Sequence, residues 1–135
     1  MSNIKRFFVS CAPQVQGLLR IVIGFLYLQH GTAKLFGFPH VAMFDGVQLF
    51  SLMGLAGVLE IVGGALVMIG LWTRPAAFVL SGMMAVAYFM AHAPQGMFPI
   101  LNKGELAVVY CFAFLFFAFA GAGAISVDTT RNPRG

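Results

Sequence analysis

Residues 15–35 read VQGLLRIVIGFLYLQHGTAKL, an apolar run interrupted only by Arg20, His30, Lys34 and a few uncharged polar side chains. At about 1.5 Å of rise per residue such a run covers the roughly 30 Å of a bilayer's hydrocarbon core. A secretory leader would be shorter, less charged and followed by a small-residue cleavage site. The run is therefore read as a retained first transmembrane helix. Arg20, Tyr27 and Lys34 recur every seven residues and His30 lies three beyond Tyr27, so the four share a face of roughly 80° at 3.6 residues per turn. Gly17, Gly24 and Gly31 border that face and let a second backbone come close. A charge at the middle of a membrane helix costs about 2.5 to 3.5 kcal/mol on insertion scales, so the polar face must turn toward protein.

Working outward, Ile4, Phe7, Phe8 and Cys11 fall at helical spacing in a short amphipathic entry segment that Pro13 is expected to end. A second span is expected at about 50–72, after Gly37-Phe38-Pro39-His40 and Asp45-Gly46, with residues 38–49 at the interface. Thr73-Arg74 then makes a tight turn, and Pro75 opens a third span to about 92. Pro94-Gln95-Gly96 and Pro99 break the chain before a fourth at about 104–123, and a polar tail runs from Ser126. The fold class that follows is an all-α, four-helix transmembrane bundle, up-down-up-down, in a single domain spanning residues 1–135, since connections this short join antiparallel neighbours.

Composition agrees. The chain has 135 residues, 60% of them apolar and 9% charged, with a mean hydropathy of +0.91, a balance foreign to water-soluble domains. The net charge of +4 comes from scattered single residues with no basic patch, which sets nucleic acid aside. Lys5, Arg6, Arg74, Arg131 and Arg134 fall on one side, while Lys34 and Lys103 lie near the other boundary. That bias predicts a multi-pass protein of the bacterial inner membrane with both termini in the cytoplasm.

The polar residues inside the spans form three expected layers. His30 and Glu60 come out at a similar depth, roughly 20 Å in, on adjoining antiparallel helices and can pair, with Lys34 one turn above as the other source of compensating charge. Glu60 sits among Gly57, Gly63 and Gly64, in a stripe suited to close helix contact. Lys34, His92 and Glu105 share an outer level, about 26 to 30 Å in. Arg20 and Asp128 form a structural ion pair near the cytoplasmic end. Polar pairs of this kind can simply fix helix register. The cluster His30, Lys34, Glu60, His92 and Glu105 can instead hold a polar head group or relay protons. A metal is not expected, since none of the two His and two Glu among these lies at i, i+3 or i, i+4 from another. Phe112, Phe116 and Phe119 share the Glu105 face and can line an apolar slot for a quinone ring, against ordinary helix packing. Phe114 and Phe117 are expected to meet lipid or partner helices. Cys11 and Cys111 are too far apart for a redox motif, and Cys111 reads as a small packing residue.

The chain resembles the DoxX family of small bacterial membrane proteins. The resemblance is carried, in order, by Leu19-Arg20, Gly24, His30-Gly31, Lys34-Leu35, Glu60, Gly63-Gly64, Gly70-Leu71-Trp72-Thr73-Arg74, Ala87, His92, Gly104-Glu105 and Ser126-Val127-Asp128. It implies a four-helix membrane bundle and, more loosely, a redox association: some relatives are tied to thiosulfate oxidation with quinone as acceptor, others to redox stress or membrane-protein assembly. No cofactor motif is encoded, and the missing cysteine pair leaves sulfur chemistry to a partner. The expectation is a non-catalytic accessory subunit with a bound quinone or lipid, in contact with membrane lipid and with a membrane protein partner or a second copy. A membrane assembly factor and a small proton-coupled transporter are the alternatives.

Overall fold

The computed structural model describes residues 1–133, so Arg134 of the expected charge bias lies outside the described residues. Every regular element among them is helical: α1 (Asn3–Phe36), α2 (Leu52–Ile69), α3 (Thr73–Ala91), α4 (Pro99–Asn102), α5 (Glu105–Ala120) and α6 (Val127–Arg131), with 3-10 turns at Ala42–Phe44 and Ala93–Gln95. Three helical stretches are long and apolar enough to cross a membrane, Asn3–Phe36, Leu52–Ile69 and Thr73–Gln95. The fourth apolar helix, α5, has 16 residues, about 24 Å, short of a hydrocarbon core by a turn.

The chain forms two compact units, one from Met1–Thr73 with the segment from Ala122 onward, the other Arg74–Gly121. In the first, α1 and α2 pack antiparallel through their small residues. A Cβ on Gly24 would lie 2.6 Å from the Met68 nitrogen, one on Gly64 would lie 3.0 Å from that of Leu28, and one on Gly57 would lie 2.9 Å from Leu35 Cγ. Each advance along α1 is matched by an equal retreat along α2, which fixes a single register. The expected inward face of α1 is the buried one: Gly17, Arg20, Gly24, Tyr27 and Gly31. The opposite face, including Leu18, Val22 and Phe25, is left exposed, as a lipid-facing surface requires.

Three boundaries differ from expectation. Pro13 does not end an entry segment, because α1 runs through it without a break. Proline removes one helical hydrogen bond and crowds the carbonyl four residues back, and here its own carbonyl is held from outside by the N–H of Ala124 at 2.8 Å. The turn after α2 is Gly70–Trp72 rather than Thr73-Arg74. Gly70 takes the left-handed conformation at φ 72° and closes α2, while Thr73 opens α3. The expected polar tail carries a helix, α6, over Val127–Arg131, capped by the Ser126 hydroxyl, which accepts from Thr129 N.

In the second unit, Leu80, Phe114 and Phe117 are fully buried, and Ser81 Oγ on α3 donates to the carbonyl of Cys111 on α5 at 2.7 Å. Phe114 and Phe117 therefore belong to the core. Arg74 reaches the carbonyls of Ala118 at 3.3 Å and of Phe119 at the end of α5, groups that no residue within the helix can satisfy.

Candidate functional site

The small residues of the α1–α2 seam bring the two backbones close enough to enclose polar side chains. Gly31 faces Glu60 directly: a Cβ there would lie 2.6 Å from the Gly57 carbonyl oxygen and 2.9 Å from Glu60 Cβ. In that enclosure Lys34 Nζ meets Glu60 Oε1 at 2.7 Å, with the two side chains only 10% and 4% exposed. The Phe44 ring, carried by the 3-10 turn between the helices, stands 5.2 Å from the ammonium, within cation–π range. The second carboxylate oxygen, Oε2, is buried and accepts no hydrogen bond.

The partner of Glu60 is thus Lys34 rather than the expected His30. Depth counted along Cα positions placed Lys34 one layer further out, but its four-carbon stem reaches back past its own turn. His30 is half-buried one turn earlier on α1. A paired ammonium and carboxylate with one oxygen left over can accept a hydrogen bond from a ligand's O–H or N–H group, or exchange a proton with it.

At the far end of the same seam, Arg20 is fully buried. Its guanidinium donates to the carbonyls of Ala122 at 2.6 Å, Ile125 at 2.7 Å and Met68 at 3.5 Å. The expected Arg20–Asp128 ion pair is not formed as a contact. Asp128 instead accepts from Trp72 N at 2.8 Å and Thr73 N at 2.9 Å, while its own N–H goes to the Gly70 carbonyl at 2.8 Å. The first free amides of a helix demand an acceptor more directly than a guanidinium already supplied with carbonyls. Burial by itself would raise the Asp128 carboxyl, but the Thr73 and Trp72 amides and the Arg131 charge outweigh it and hold the group below its ordinary range. The quoted stretches around Arg20, Gly70–Thr73 and Ser126–Asp128 are therefore parts of one knot.

In the second unit, His92 Nδ1 lies 3.0 Å from the Asn102 carbonyl. Asn102 is fully buried and organises the connection before α5, donating to Tyr88 Oη at 3.1 Å and the Gly96 carbonyl at 2.9 Å and accepting from Gly104 N at 2.8 Å. Glu105 is exposed in the first turn of α5. Phe112, Phe116 and Phe119 face outward and, with Leu115 and Ala120, line an open groove on the helix itself. Asn102 was missed from sequence, where Asn-Lys-Gly between two helices reads as an ordinary turn. Phe44 and the accepting carbonyls around Arg20 carried no signal. Among the described residues no three His, Cys, Asp or Glu side chains gather as metal ligands would.

Comparison with known proteins adds a family. The DoxX family model matches residues 16–93, a stretch that includes Arg20, His30, Lys34, Glu60 and His92. A protein of Haemophilus influenzae that carries only the name "Uncharacterized protein" is 44% identical over 115 residues, covering 82% of each chain. No solved structure matches.

Proposed function

This chain belongs to the DoxX family, and from that premise we propose that it is an accessory subunit of a membrane redox system that receives the polar head of a quinone-like or lipid ligand at Lys34 and Glu60. The supporting observation is the buried Lys34–Glu60 pair with Glu60 Oε2 left without a donor. A lone acceptor inside a membrane protein is costly, and a ligand hydroxyl would relieve that cost. His30 in the same unit is a proton-relay candidate beside that pair, and His92 and Glu105 are those of the second unit. The proposal includes an up-down-up-down four-helix arrangement in the bacterial inner membrane with both termini cytoplasmic, which impermeant thiol labelling at engineered positions 3 and 132 tests in intact cells.

The ligand test is the melting temperature of the full chain in nanodiscs with and without short-chain quinol and quinone analogues. A stabilisation that Glu60→Gln abolishes supports the reading, and no shift for the native chain refutes it. A second reading, a membrane assembly or interaction protein, is favoured by the outward aromatic face of α5, with Phe112 65% and Phe119 75% exposed. A stoichiometric partner retained in mild detergent without ligand would support it.

A further inference from the structure

Helix α1 has 34 residues, about 51 Å, while its partner α2 has 18, about 27 Å. The excess lies at one end. The seam with α2 finishes near Gly24 and Met68, the segment after Ala122 covers α1 from Pro13 to Gly17, and Gly17 is the first buried residue along the chain. Residues 3–12 therefore extend beyond the packed unit, on the side where Arg20 and Arg131 also lie. Yet this extension is not polar. Ile4, Phe7 and Phe8 are 72%, 62% and 66% exposed, and with Cys11 they make one helical stripe. Lys5 flanks that stripe on one side and Asn3 and Ser10 on the other, while Arg6 and Val9 lie opposite it. No acidic residue occurs before Asp45.

We infer that residues 3–12 form an arm that lies on the membrane surface and binds anionic lipid head groups. Its apolar stripe enters the boundary of the acyl chains, Lys5 beside the stripe meets the lipid phosphates, and Arg6 on the opposite face adds its charge to the attraction of the anionic surface. An upright arm would hold two phenylalanines in water, whereas the adjoining bilayer supplies both an apolar layer and a surface of opposite charge. In this structure α1 continues through Pro13, and the inferred arm bends there, where the Val9 carbonyl lacks its helical donor. The Ala124 N–H on the Pro13 carbonyl anchors the span side of that joint.

The test uses full-length chain with Cys11→Ala and Cys111→Ala, carrying a spin label at Phe8→Cys or Ser10→Cys. Nanodiscs contain phosphatidylcholine alone or mixed with phosphatidylglycerol. Collision with oxygen and with a water-soluble nickel chelate reports depth. The expected result is a label at position 8 that is shielded from nickel in anionic discs, while position 10 stays accessible. Surface association should be favoured about ten-fold over pure phosphatidylcholine, and Lys5→Gln with Arg6→Gln should remove that difference. Equal nickel access at positions 8 and 10 in anionic discs would overturn the inference. So would shielding of position 8 that is the same in both lipids, or dipolar broadening between labels on two copies.

Discussion

The two buried cations of α1 are satisfied in opposite ways. Arg20 is surrounded by main-chain carbonyls from three separate places, groups that hold their charge distribution at any pH. Lys34 is paired with a side-chain carboxylate that has a second oxygen to spare. The first arrangement is a structural fastening to backbone, with Nε of the guanidinium left without an acceptor. The second can change protonation state and can accept a visitor. Position inside a membrane marks both residues as unusual, and only the identity of their acceptors separates structure from chemistry.

The comparison is broken most severely at Arg20. Arg20→Leu leaves the buried carbonyl of Ala122 and the partly buried one of Ile125 without donors and should lower stability by about 3 to 5 kcal/mol, read as lost expression or a collapsed melting curve in detergent. Arg20→Lys should recover little, because one ammonium cannot reproduce the fork that spans separate carbonyls. Wild-type stability in either variant would refute the fastening.

Next in size is the packing that encloses the second centre. Gly31→Ala inserts a methyl within 2.6 Å of the Gly57 carbonyl oxygen, so the seam must open at Lys34 and Glu60. A cost of about 1 to 3 kcal/mol is expected, with the ligand-induced shift in melting temperature lost at the same time. Retention of both would mean that the helices are not held at this spacing.

A double-mutant cycle sharpens the contrast. Lys34→Met with Glu60→Gln should show a coupling of about 1 to 3 kcal/mol, whereas Arg20→Leu with Asp128→Asn should be closer to additive, because those side chains act on different backbone groups. Equal couplings would erase the distinction between the two ends.

The smallest effect belongs to Asp128. Its carboxyl is held below the ordinary value of 3.8, so its contribution is present above that value and is lost as pH falls through the lower native one. Because the group is partly in water, the loss should be about 0.5 kcal/mol. A melting-temperature profile between pH 3 and 6 should fall at its acid end in the native chain and flatten in Asp128→Asn. An unchanged acid limb in the variant would assign the effect elsewhere.

The α1 face was legible from sequence because the heptad spacing of Gly17, Gly24 and Gly31 against Arg20, Tyr27 and Lys34 is a local property of one helix. Glu60 was legible as buried for the same reason. The choice of Lys34 over His30 was not, since counting rise along an axis ignores the reach of a long side chain. The acceptors of Arg20 are backbone atoms 48, 102 and 105 positions away, and residue type carries no trace of them. Asp128 makes its direct contacts with the Trp72 and Thr73 amides rather than with Arg20, because charge complementarity is visible in sequence and an unfilled helix start is not. Asn102 stayed hidden because a buried turn and an exposed one use the same residues.

The distance along the chain between Arg20 and its acceptors also orders events during biosynthesis. The Ala122 and Ile125 carbonyls lie 102 and 105 residues downstream. At roughly 5 to 20 residues per second, the ribosome delivers them about 5 to 20 seconds after the arginine. Until then α1 holds a cation for which two of its three native acceptors have not been made, which favours keeping that end near water and the head groups. A chain cut short before Ala122 would carry this defect permanently, giving membrane proteases a chemical mark of incomplete synthesis.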